Sequence, residues 1–413
     1  MYIDRELSLS DAEQRADRLI KSLNLIPQIR SIGNKGAFIS ECTLLSPTAH
    51  EILAKGQGKS FAENDSKIFA KFEALEDYTS LITQKKDAKF HVLSLREIVH
   101  NRIPVIFDKI PAELINENSE LFSAKLAWVE FQNLNHNKLT YVPAFHTSPL
   151  YAYSPFPADN FDYSQIYHTE TSNGVAIGCS YEESMLHAIL EILERDAVSL
   201  FLINTFLTQS PQKIHLMDQK TLPQNMQQQI EVITQNNPIK LYIIELPNDF
   251  NIPTYCVSIH VVDKSYAFRG YSASFNAATA VKSALLEAIE SYNNPAETAN
   301  IILTFKLLEN WPHFVKCVLF DIPELLEKNQ YQIVAFKNTV ANFPTDVQTS
   351  LAELTEILNA AKFDIYFNTV FSEEGINTVQ VIIPQAEDFC VIEKGIIVPP
   401  KDRGRAALEF NKI

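Results

Sequence analysis

The sequence predicts a mixed α/β fold in which helices and strands interleave along the chain. Segments with apolar residues at helical spacing alternate with short runs rich in valine, isoleucine and aromatic residues. No segment recurs at a fixed period, which argues against a repeat architecture. The 413 residues, 46% of them hydrophobic and 21% charged, can bury the core of two or three fused subdomains.

The helices are predicted from apolar positions that recur on one helical face. Five segments carry this pattern: Asp11–Leu23, Ser66–Leu81, Tyr181–Ile203, Ala277–Asn293 and Thr349–Ala361. Lys85–Asp87 follows the second of them and is predicted to form a turn. The third helix has a favourable start, because Ser180 is a good N-cap and Glu182 and Glu183 lie in the first turn, where the helix dipole favours anions.

The extended segments are predicted from short apolar runs between these helices. They are a mixed run at Ala37–Leu45 and strands at Lys240–Glu245, Thr254–Val262, Asn377–Ile383 and Val391–Val398. Residues 125–165 are rich in aromatic residues and proline, which favours strands and an ordered loop. A loop of that length in a compact protein tends to be functional.

The overall charge restricts the class of partner. A formal net charge of −15 without a dense run of lysine and arginine argues against nucleic acid, because phosphate binding needs a basic surface. The longest apolar stretch, Ala197–Leu207, is too short to span a bilayer and is interrupted by Asn204, so no membrane association is predicted. A basic peptide or a metal-bridged anion fits this composition better.

The cysteines and the N-terminus indicate a cytoplasmic protein. The five cysteines, at positions 42, 179, 256, 317 and 390, are odd in number and never form a CxxC pair. Neither a disulfide framework nor a structural zinc site is therefore predicted, and a reducing cytosol is the simplest location. The charged N-terminal segment lacks the apolar core that a secretory signal requires.

Three of the predicted helical segments each carry two glutamates three residues apart. The pairs are Glu73 and Glu76, Glu191 and Glu194, and Glu287 and Glu290. Taken singly, such a pair is most often part of a solvated helix face. Because all three occur beside leucine, isoleucine and alanine, they indicate a shared site. Six carboxylates can converge inside a protein only around cations, and Mg²⁺ usually arrives with the phosphates of a nucleotide.

The sequence excludes the common glycine-rich nucleotide motifs. The string GQGKS at Gly56–Ser60 ends like a phosphate-binding loop, but Leu53 stands where that loop needs glycine. With ten glycines in the whole chain, no GxGxxG fingerprint is present either. Any nucleotide must therefore be bound by residues outside these glycine-rich motifs.

The helix predicted at Tyr181–Ile203 is open to two interpretations. Glu183, His187, Glu191 and Glu194 form a polar stripe opposite its apolar face. Periodicity alone favours a solvated surface stripe, with a structural histidine. A di-iron carboxylate centre is a sharper alternative, but a matched pair of Glu-x-x-His motifs is absent.

The segment that contains this helix, SNGVAIGCSYEESMLHAILEILERDA, closely resembles the central signature of the YcaO superfamily. The first glutamate pair lies in GKSFAENDSKIFAKFEALEDY and the third in GYSASFNAATAVKSALLEAIES, which are similar to the first and third motifs of that family. VQVIIPQAED and GRAAL are similar to its closing strand and its terminal Gly-Arg-x-Ala. The resemblance covers about residues 50–410 and implies the YcaO-type arrangement of interleaved helices and sheets.

The resemblance implies ATP and Mg²⁺ as cofactors, since YcaO proteins bind ATP without a phosphate loop and hold Mg²⁺ through glutamates. It assigns catalytic roles to Glu191, Glu194 and Glu287. Mg²⁺ ligation falls to Glu73, Glu76, Glu191 and Glu194, and nucleotide binding to Lys59, Glu73, Glu76, Asn173, Glu183, Arg195, Lys282 and Ser283. Within that set, Arg195 matches a phosphate contact of the central motif.

Three positions depart from the family pattern. Phe69 replaces a serine in the first helix, Asp77 replaces an arginine, and Ser283, beside Lys282, stands where the third motif usually has arginine. Arginine offers phosphate a fixed fork that lysine does not. The C-terminus also lacks the Pro-x-Pro-x-Pro tail of azoline-forming members. These departures motivate an alternative in which the chain is a non-catalytic scaffold that binds nucleotide or peptide within a synthetase complex.

The predicted function is the ATP- and Mg²⁺-dependent activation of peptide backbone amides by O-phosphorylation. Its expected outcome is the cyclodehydration of cysteine, serine or threonine to azolines, the precursors of thiazoles and oxazoles, in a ribosomally synthesised and post-translationally modified peptide. Thioamide formation and an accessory role in modifying a ribosomal protein are further alternatives.

The predicted organisation is an N-terminal α/β segment at residues 1–50 followed by a YcaO-like ATP-binding domain at 51–413. The first 50 residues contain no evident peptide-recognition domain, so a separate partner protein is expected to capture the leader of the precursor peptide. The oligomeric state, a homodimer included, is left open by the sequence.

Overall fold

The computed structural model describes residues 5–33, 36–86, 90–106, 120–136, 138–148, 151–163, 172–235, 237–262, 264–338, 344 and 346–410. In these ranges the helices are α1 Leu9–Ser22, α2 Glu63–Lys86, α3 Leu95–His100, α4 Glu120–Ser123, α5 Ala144–Thr147, α6 Tyr181–Leu202, α7 Gln224–Gln235, α8 Ala277–Asn293, α9 Pro295–Leu307, α10 Pro312–Leu319, α11 Ile322–Glu327, α12 Val347–Ala360 and α13 Asp402–Phe410. The strands are β1 Ile26–Gly33, β2 Phe38–Leu45, β3 Ile52–Ser60, β4 His91–Ser94, β5 Lys125–Asn133, β6 Leu139–Pro143, β7 Val175–Gly178, β8 Ile214–Asp218, β9 Ile239–Glu245, β10 Thr254–Val261, β11 Ala267–Ala273, β12 Tyr331–Ala335, β13 Tyr366–Glu373 and β14 Ile376–Ile382. The mixed α/β fold class is confirmed.

The strands form three sheets. One has the order β1-β2-β3, the second β11-β10-β9-β8-β12, and the third β4-β5-β13-β14-β7, with β6 also paired to β5. Neighbouring strands run antiparallel except β8 and β12, which are parallel. The helices that carry the three glutamate pairs are α2, α6 and α8, and each packs on a different sheet. The sheets thereby bring the three glutamate pairs towards one region.

Glycines let two of these helices approach their strands closely. A Cβ atom at Gly58 of β3 would lie 2.0 Å from the carbonyl oxygen of Ser66 in α2. A Cβ atom at Gly270 of β11 would lie 2.2 Å from the carbonyl oxygen of Ala284 in α8. Only glycine fits at such contacts. The glycines of GQGKS therefore serve helix packing within β3, which agrees with the exclusion of a phosphate-binding loop.

Helix α6 packs against strands of two sheets and against several helices. The hydroxyl of Ser180 accepts a hydrogen bond from the Glu183 N–H at 3.1 Å, which confirms the predicted N-cap. The apolar face of α6 is buried against β14, β7 and α12, and its C-terminal half contacts the segment that includes Phe389. The polar stripe of α6 faces a cavity, to which His187 is exposed and Glu191 and Glu194 are partly exposed, so its interpretation as an outer surface of the molecule is wrong.

Two local expectations differ from the structure. Lys85 and Lys86 continue α2 instead of forming a turn, while Asp87 lies outside the described residues. The strand expected at Val391–Val398 is wrong, because Phe389–Lys394 forms a 3₁₀ helix whose apolar side chains are buried against the C-terminal half of α6. A short apolar run cannot by itself distinguish a strand from a buried helical turn.

The N-terminal residues are tied to the rest of the fold. The ammonium group of Lys71 in α2 binds Glu13 and Asp17 of α1 at 2.8 Å each. Arg15 donates to the carbonyl oxygens of Cys179 at 2.6 Å and Gly375 at 3.0 Å. These contacts fix α1 beside the start of α6. Among the described residues, no helix is both long and apolar enough to cross a membrane.

Candidate functional site

A cavity of about 430 Å³ opens between α2, α6 and α8. Ten of the residues predicted from the sequence line it: Lys59, Glu73, Glu76, Glu183, Glu191, Glu194, Arg195, Lys282, Ser283 and Glu287. Three helices that are remote in sequence therefore present their glutamates to one space. The shared site inferred from the repeated pairs exists as a geometric feature, although the role of each residue in it stays a prediction.

The α2 wall contributes Glu73 and Glu76. One carboxylate oxygen of Glu76 accepts a hydrogen bond from the Ile177 N–H at 2.9 Å, which fixes the side chain towards β7. Burial, followed by the charges of Glu73 and Glu191, raises the pKa of Glu76 well above its usual range. Burial also raises the pKa of Glu73, although the nearby Lys59 ammonium opposes that shift. Both carboxylates therefore lie where added positive charge would be favourable.

The α6 wall contributes Glu191, Glu194 and Arg195. Burial raises the pKa of Glu191 to about 7 and that of Glu194 to about 8, while the Arg195 guanidinium opposes both shifts. Arg195 Nε lies 3.6 Å from Glu194 Oε1. His187, one turn earlier, is exposed to the same cavity, and desolvation among the surrounding residues, followed by the charges of Arg5 and Lys59, lowers its pKa to about 4. It is therefore a neutral side chain at physiological pH.

The third wall is made by α8 and β3. Glu287 Oε2 accepts a hydrogen bond from the Tyr271 N–H at 2.7 Å, which holds this carboxylate beside β11. Lys59 Nζ lies 2.5 Å from Glu290 Oε2. Glu290 does not line the cavity among the described residues, and it neutralises the lysine instead of adding a carboxylate to the site. Lys282 and Ser283 both line the cavity, and the Lys282 ammonium lies 6.0 Å from the centre of the Phe61 ring.

The arrangement suits hydrated Mg²⁺ better than a metal held by protein ligands alone. Among the described residues, no three histidine, cysteine, aspartate or glutamate side chains already stand together as a metal site. The glutamates instead surround an open space, and the raised pKa values of Glu73, Glu76, Glu191 and Glu194 reflect burial first and the charges of neighbouring carboxylates after it. Mg²⁺ is usually bound by one or two carboxylates, several waters and phosphate oxygens. The donor set therefore fits an ion that enters together with phosphate.

A second cavity, of about 120 Å³, adjoins the first. Both are lined by Ser172, Glu191 and Arg195, and the smaller one is completed by the segment that contains the 3₁₀ helix Phe389–Lys394. Asn173, which was predicted to bind the nucleotide, lines this smaller cavity. Its Oδ1 atom is buried and has no hydrogen-bond partner among the described residues. Such an orphaned acceptor indicates a missing donor, either from a ligand or from water.

Glu183 has a different environment from the other predicted residues. Its carboxylate is 3% exposed and accepts hydrogen bonds from Arg5 Nη1 at 3.0 Å and from the N–H groups of Glu6 at 3.1 Å and Cys179 at 3.2 Å. It thus fixes the N-terminal segment to α6, beside the cavity. Sequence reasoning missed Arg5, because no motif singles out one arginine in a charged terminal segment.

The departures from the family pattern fall in different places. Phe69 and Ser283 line the larger cavity. Asp77 is not part of its described lining, and one of its carboxylate oxygens accepts a hydrogen bond from the Lys55 N–H at 3.2 Å. Asp77 therefore connects α2 to β3.

We expect the ionisation of Glu191 and Glu194 to remove stability from the metal-free protein as the pH rises from about 5 to about 8. The folded pKa values of these two groups, about 7 and about 8, exceed the ordinary value of 4.5, so at these two positions the folded state binds more protons than the unfolded state. The lowered pKa of His187 acts with the opposite sign, so the contribution of the glutamates is read from the difference between wild type and the variant below. The stabilisation is complete below the unfolded pKa and is lost as the pH passes the folded values. Urea unfolding in EDTA at several pH values measures it.

The control for this pH dependence is the double variant Glu191→Gln/Glu194→Gln. It should show a flatter dependence of unfolding free energy on pH than the wild type, because the two titrating groups are gone. Added Mg²⁺ should stabilise the wild type more at high pH than at low pH, since it competes with protons for the same carboxylates. Equal pH dependence in both proteins would contradict the assignment of these pKa values.

Comparison with known proteins agrees with this geometry. Residues 57–387 match the family model described as YcaO cyclodehydratase, ATP- and Mg²⁺-binding. No curated protein sequence matches the chain. The matched range contains all of the predicted site residues and excludes the N-terminal segment that carries Arg5.

Solved structures share the fold at low sequence identity. A heterocyclase in complex with substrate and cofactor matches with a TM-score of 0.67 at 17% identity, over 92% of this chain and 52% of that one. YcaO from Methanopyrus kandleri bound with AMPPCP and Mg²⁺ matches with a TM-score of 0.64 at 15% identity, over 97% and 98%. The E. coli microcin synthetase McbBCD complex with pro-MccB17 bound matches with a TM-score of 0.56 at 11% identity, over 88% of each chain. The chain spans about half the length of the heterocyclase, and these similarities establish the fold alone.

Proposed function

The chain belongs to the YcaO family of ATP- and Mg²⁺-binding cyclodehydratases, and from this premise we propose that it activates backbone amides of a peptide by O-phosphorylation. The observation that carries the proposal is the pair of adjoining cavities that share Glu191 and Arg195. An enzyme that joins two substrates needs two compartments that meet at the reacting groups. The larger cavity suits the nucleotide, and the smaller one suits a single residue of the acceptor peptide.

The carboxylates of α2 and α6 are the proposed holders of Mg²⁺. Glu73, Glu76, Glu191 and Glu194 offer the hard oxygen ligands that this ion prefers. When bound, Mg²⁺ supplies charge neutralisation along the phosphate chain. Glu287 and Lys59 complete the larger cavity from α8 and β3, and Glu287 is oriented by the Tyr271 N–H. Together these residues would hold the phosphates of a bound nucleotide in the larger cavity.

Arg195 is the proposed stabiliser of the transferring phosphoryl group, because it lines both cavities and its charge is permanent. In the proposed reaction a nucleophile adds to the amide carbon, and the amide oxygen accepts the γ-phosphoryl group of ATP, which releases ADP. The C–O bond then breaks and releases phosphate. A thiol or hydroxyl of the neighbouring side chain closes an azoline ring, whereas an external sulfide leaves a thioamide.

Mass spectrometry of the peptide product separates these two outcomes. Incubated with its precursor peptide, partner protein and Mg-ATP, the enzyme should remove about 18 Da for each cysteine, serine or threonine cyclised, since one water is lost. Thioamide formation should add about 16 Da per site and require a sulfide source, because sulfur replaces oxygen. We favour azoline formation, which agrees with the description of the family model as a cyclodehydratase.

The non-catalytic alternative has its own signature. Phe69 and Ser283 line the cavity where the family usually has serine and arginine, so a scaffold that binds nucleotide without turnover remains the second candidate. Measurable ATP binding without mass change, ADP or phosphate release in the presence of either nucleophile would identify the scaffold. An enzyme should instead release ADP and phosphate in proportion to the modified sites.

The proposed partners are a precursor peptide and a separate protein that captures its leader. The E. coli relative was solved as a synthetase complex with a pro-peptide bound, which supports an assembly of this kind. We also propose a cytoplasmic location, since all five cysteines are buried and free, as suits a reducing compartment. Co-purification of the chain with the products of neighbouring genes would test the assembly.

A further inference from the structure

Arg5 precedes the range that matches the family model, yet it lines the larger cavity. Leu7, Leu9 and Ala12 line the same cavity, so residues 5–12 form a wall of their own beside α2 and α6. Residues 5–12 therefore line the cavity together with the three helices that carry the glutamate pairs. This segment lies outside all of the sequence motifs described above.

Arg5 is held in position by a buried carboxylate. Arg5 Nη1 lies 3.0 Å from Glu183 Oε1, and Glu183 is 3% exposed. The other oxygen of Glu183 accepts the N–H of Glu6 at 3.1 Å, so side chain and backbone of the same short segment are fixed together. Arg15 anchors the following helix by its bonds to the carbonyl oxygens of Cys179 and Gly375. A positive group is thus placed at the cavity instead of moving freely in solvent.

The guanidinium group retains capacity for an anion. It has five N–H donors, and among the described residues it donates only to Glu183. The Arg5 side chain is 34% exposed, although its partner is buried. Next to burial, the charge of Arg5 is the largest cause of the lowered pKa of His187, which lines the same cavity one turn before Glu191. Arg5 therefore acts electrostatically on the interior of the cavity.

Two other cations of the cavity, Lys59 and Arg195, are also close to carboxylates. Lys59 lies 2.5 Å from Glu290 Oε2, and Arg195 lies 3.6 Å from Glu194 Oε1. Glu183 Oε2 accepts the N–H groups of Glu6 and Cys179, at 3.1 and 3.2 Å, so this oxygen keeps two backbone donors if the arginine turns from Oε1 towards a ligand. An arginine fork matches phosphate oxygens in a way that a single ammonium does not.

We propose that Arg5 binds the phosphate chain of the nucleotide and that residues 5–12 form a fourth wall of the nucleotide site. This inference rests on the proposed function, because it assumes that a nucleotide occupies the larger cavity. It adds a specificity residue from outside the family range and makes the N-terminal segment part of the site.

The test compares the binding of AMPPCP with Mg²⁺ and the binding of adenosine, which lacks phosphates, to wild type and Arg5→Ala. We expect Arg5→Ala to weaken AMPPCP binding on the order of tenfold or more and to leave adenosine binding within about twofold, since only a phosphate contact is lost. Arg18→Ala is the matched control. Arg18 lies on α1 with a 55% exposed side chain, 3.8 Å from Glu374, and should change neither affinity.

Arg5→Lys is the second variant, for the case in which Arg5→Ala does not fold. Lysine keeps the positive charge but lacks the paired N–H donors of the guanidinium group. AMPPCP should therefore bind more weakly to this variant than to wild type, while adenosine binding stays unchanged. Equal weakening of both ligands would assign Arg5 a purely structural role and overturn the inference, as would unchanged AMPPCP affinity in a folded variant. Failure of the wild type to bind AMPPCP would instead overturn the proposed function and this inference with it.

Discussion

Glu191→Gln and Glu194→Gln should each abolish ATP turnover while leaving the fold intact. Both carboxylates line the larger cavity, and Glu191 also lines the smaller one. Glutamine preserves the shape of the side chain but removes an anionic ligand for Mg²⁺, so the phosphates lose their position for transfer. We expect a loss of at least about a hundredfold in the rate of ADP release, the scale of other preorganised electrostatic contacts.

The folded state should survive these changes, because burial disfavours the charged form of both glutamates. Burial raises their pKa values to about 7 and about 8, so the neutral amide relieves a buried charge, and the melting temperature of the metal-free protein should not fall. Mg-ATP should raise the melting temperature of the wild type more than that of either variant. Glu182→Gln is the matched control, since Glu182 lies in the first turn of the same helix and does not line either cavity. Wild-type turnover in both active-site variants would refute the shared site.

Arg403→Met should destabilise the protein by about 3–5 kcal/mol, the usual effect of removing one partner of a buried ion pair. Arg403 forms an ion pair with Asp196, whose side chain is 0% exposed, and its guanidinium carbon lies 5.3 Å from the centre of the Phe363 ring. Asp196 also accepts the Glu387 N–H at 2.8 Å. Without Arg403 this carboxylate would be buried with no cationic partner, which urea unfolding would report as a lower unfolding free energy.

The same network should affect catalysis through Arg195. Asp196 follows Arg195 directly in α6, and Glu387 accepts the N–H groups of Gly404 at 2.6 Å and Lys401 at 2.8 Å. Helix α13 is thereby fastened to the helix that carries the site. At a temperature where the variant is folded, Arg403→Met should lower kcat more than it raises the KM for ATP, because a shift of Arg195 acts on the transferring group.

Arg405→Met provides the control for this second prediction. Arg405 pairs with Asp402 on the same helix, but their side chains are 60% and 95% exposed. Solvent screens such a pair, so the unfolding free energy should change little. If Arg403→Met lowered the unfolding free energy as little as Arg405→Met does, the buried network would not stabilise the packing of α13 on α6.

The sequence alone determined the helices that carry the site and the residues they present. The bounds predicted for the third glutamate helix, Ala277–Asn293, coincide with α8, and Tyr181–Ile203 differs from α6 by one residue. Helical periodicity and capping are local properties, so a single sequence contains them. The spacing of the glutamates at three residues then guarantees that each pair shares one face of its helix.

The tertiary structure decided which of these side chains share a space and which only stabilise it. Glu287 faces the cavity, while Glu290, on the same helix, binds Lys59. Glu183 belongs to the predicted polar stripe of α6 but anchors Arg5, from a segment without any motif. The sequence pattern is the same for a glutamate that faces the cavity and for one that binds a neighbouring cation. Helical periodicity specifies which side chains share a face of the helix, but it does not specify which part of the chain packs against that face. Long-range packing of the three sheets selects that neighbour, and only the folded chain therefore distinguishes a ligand of the site from its support.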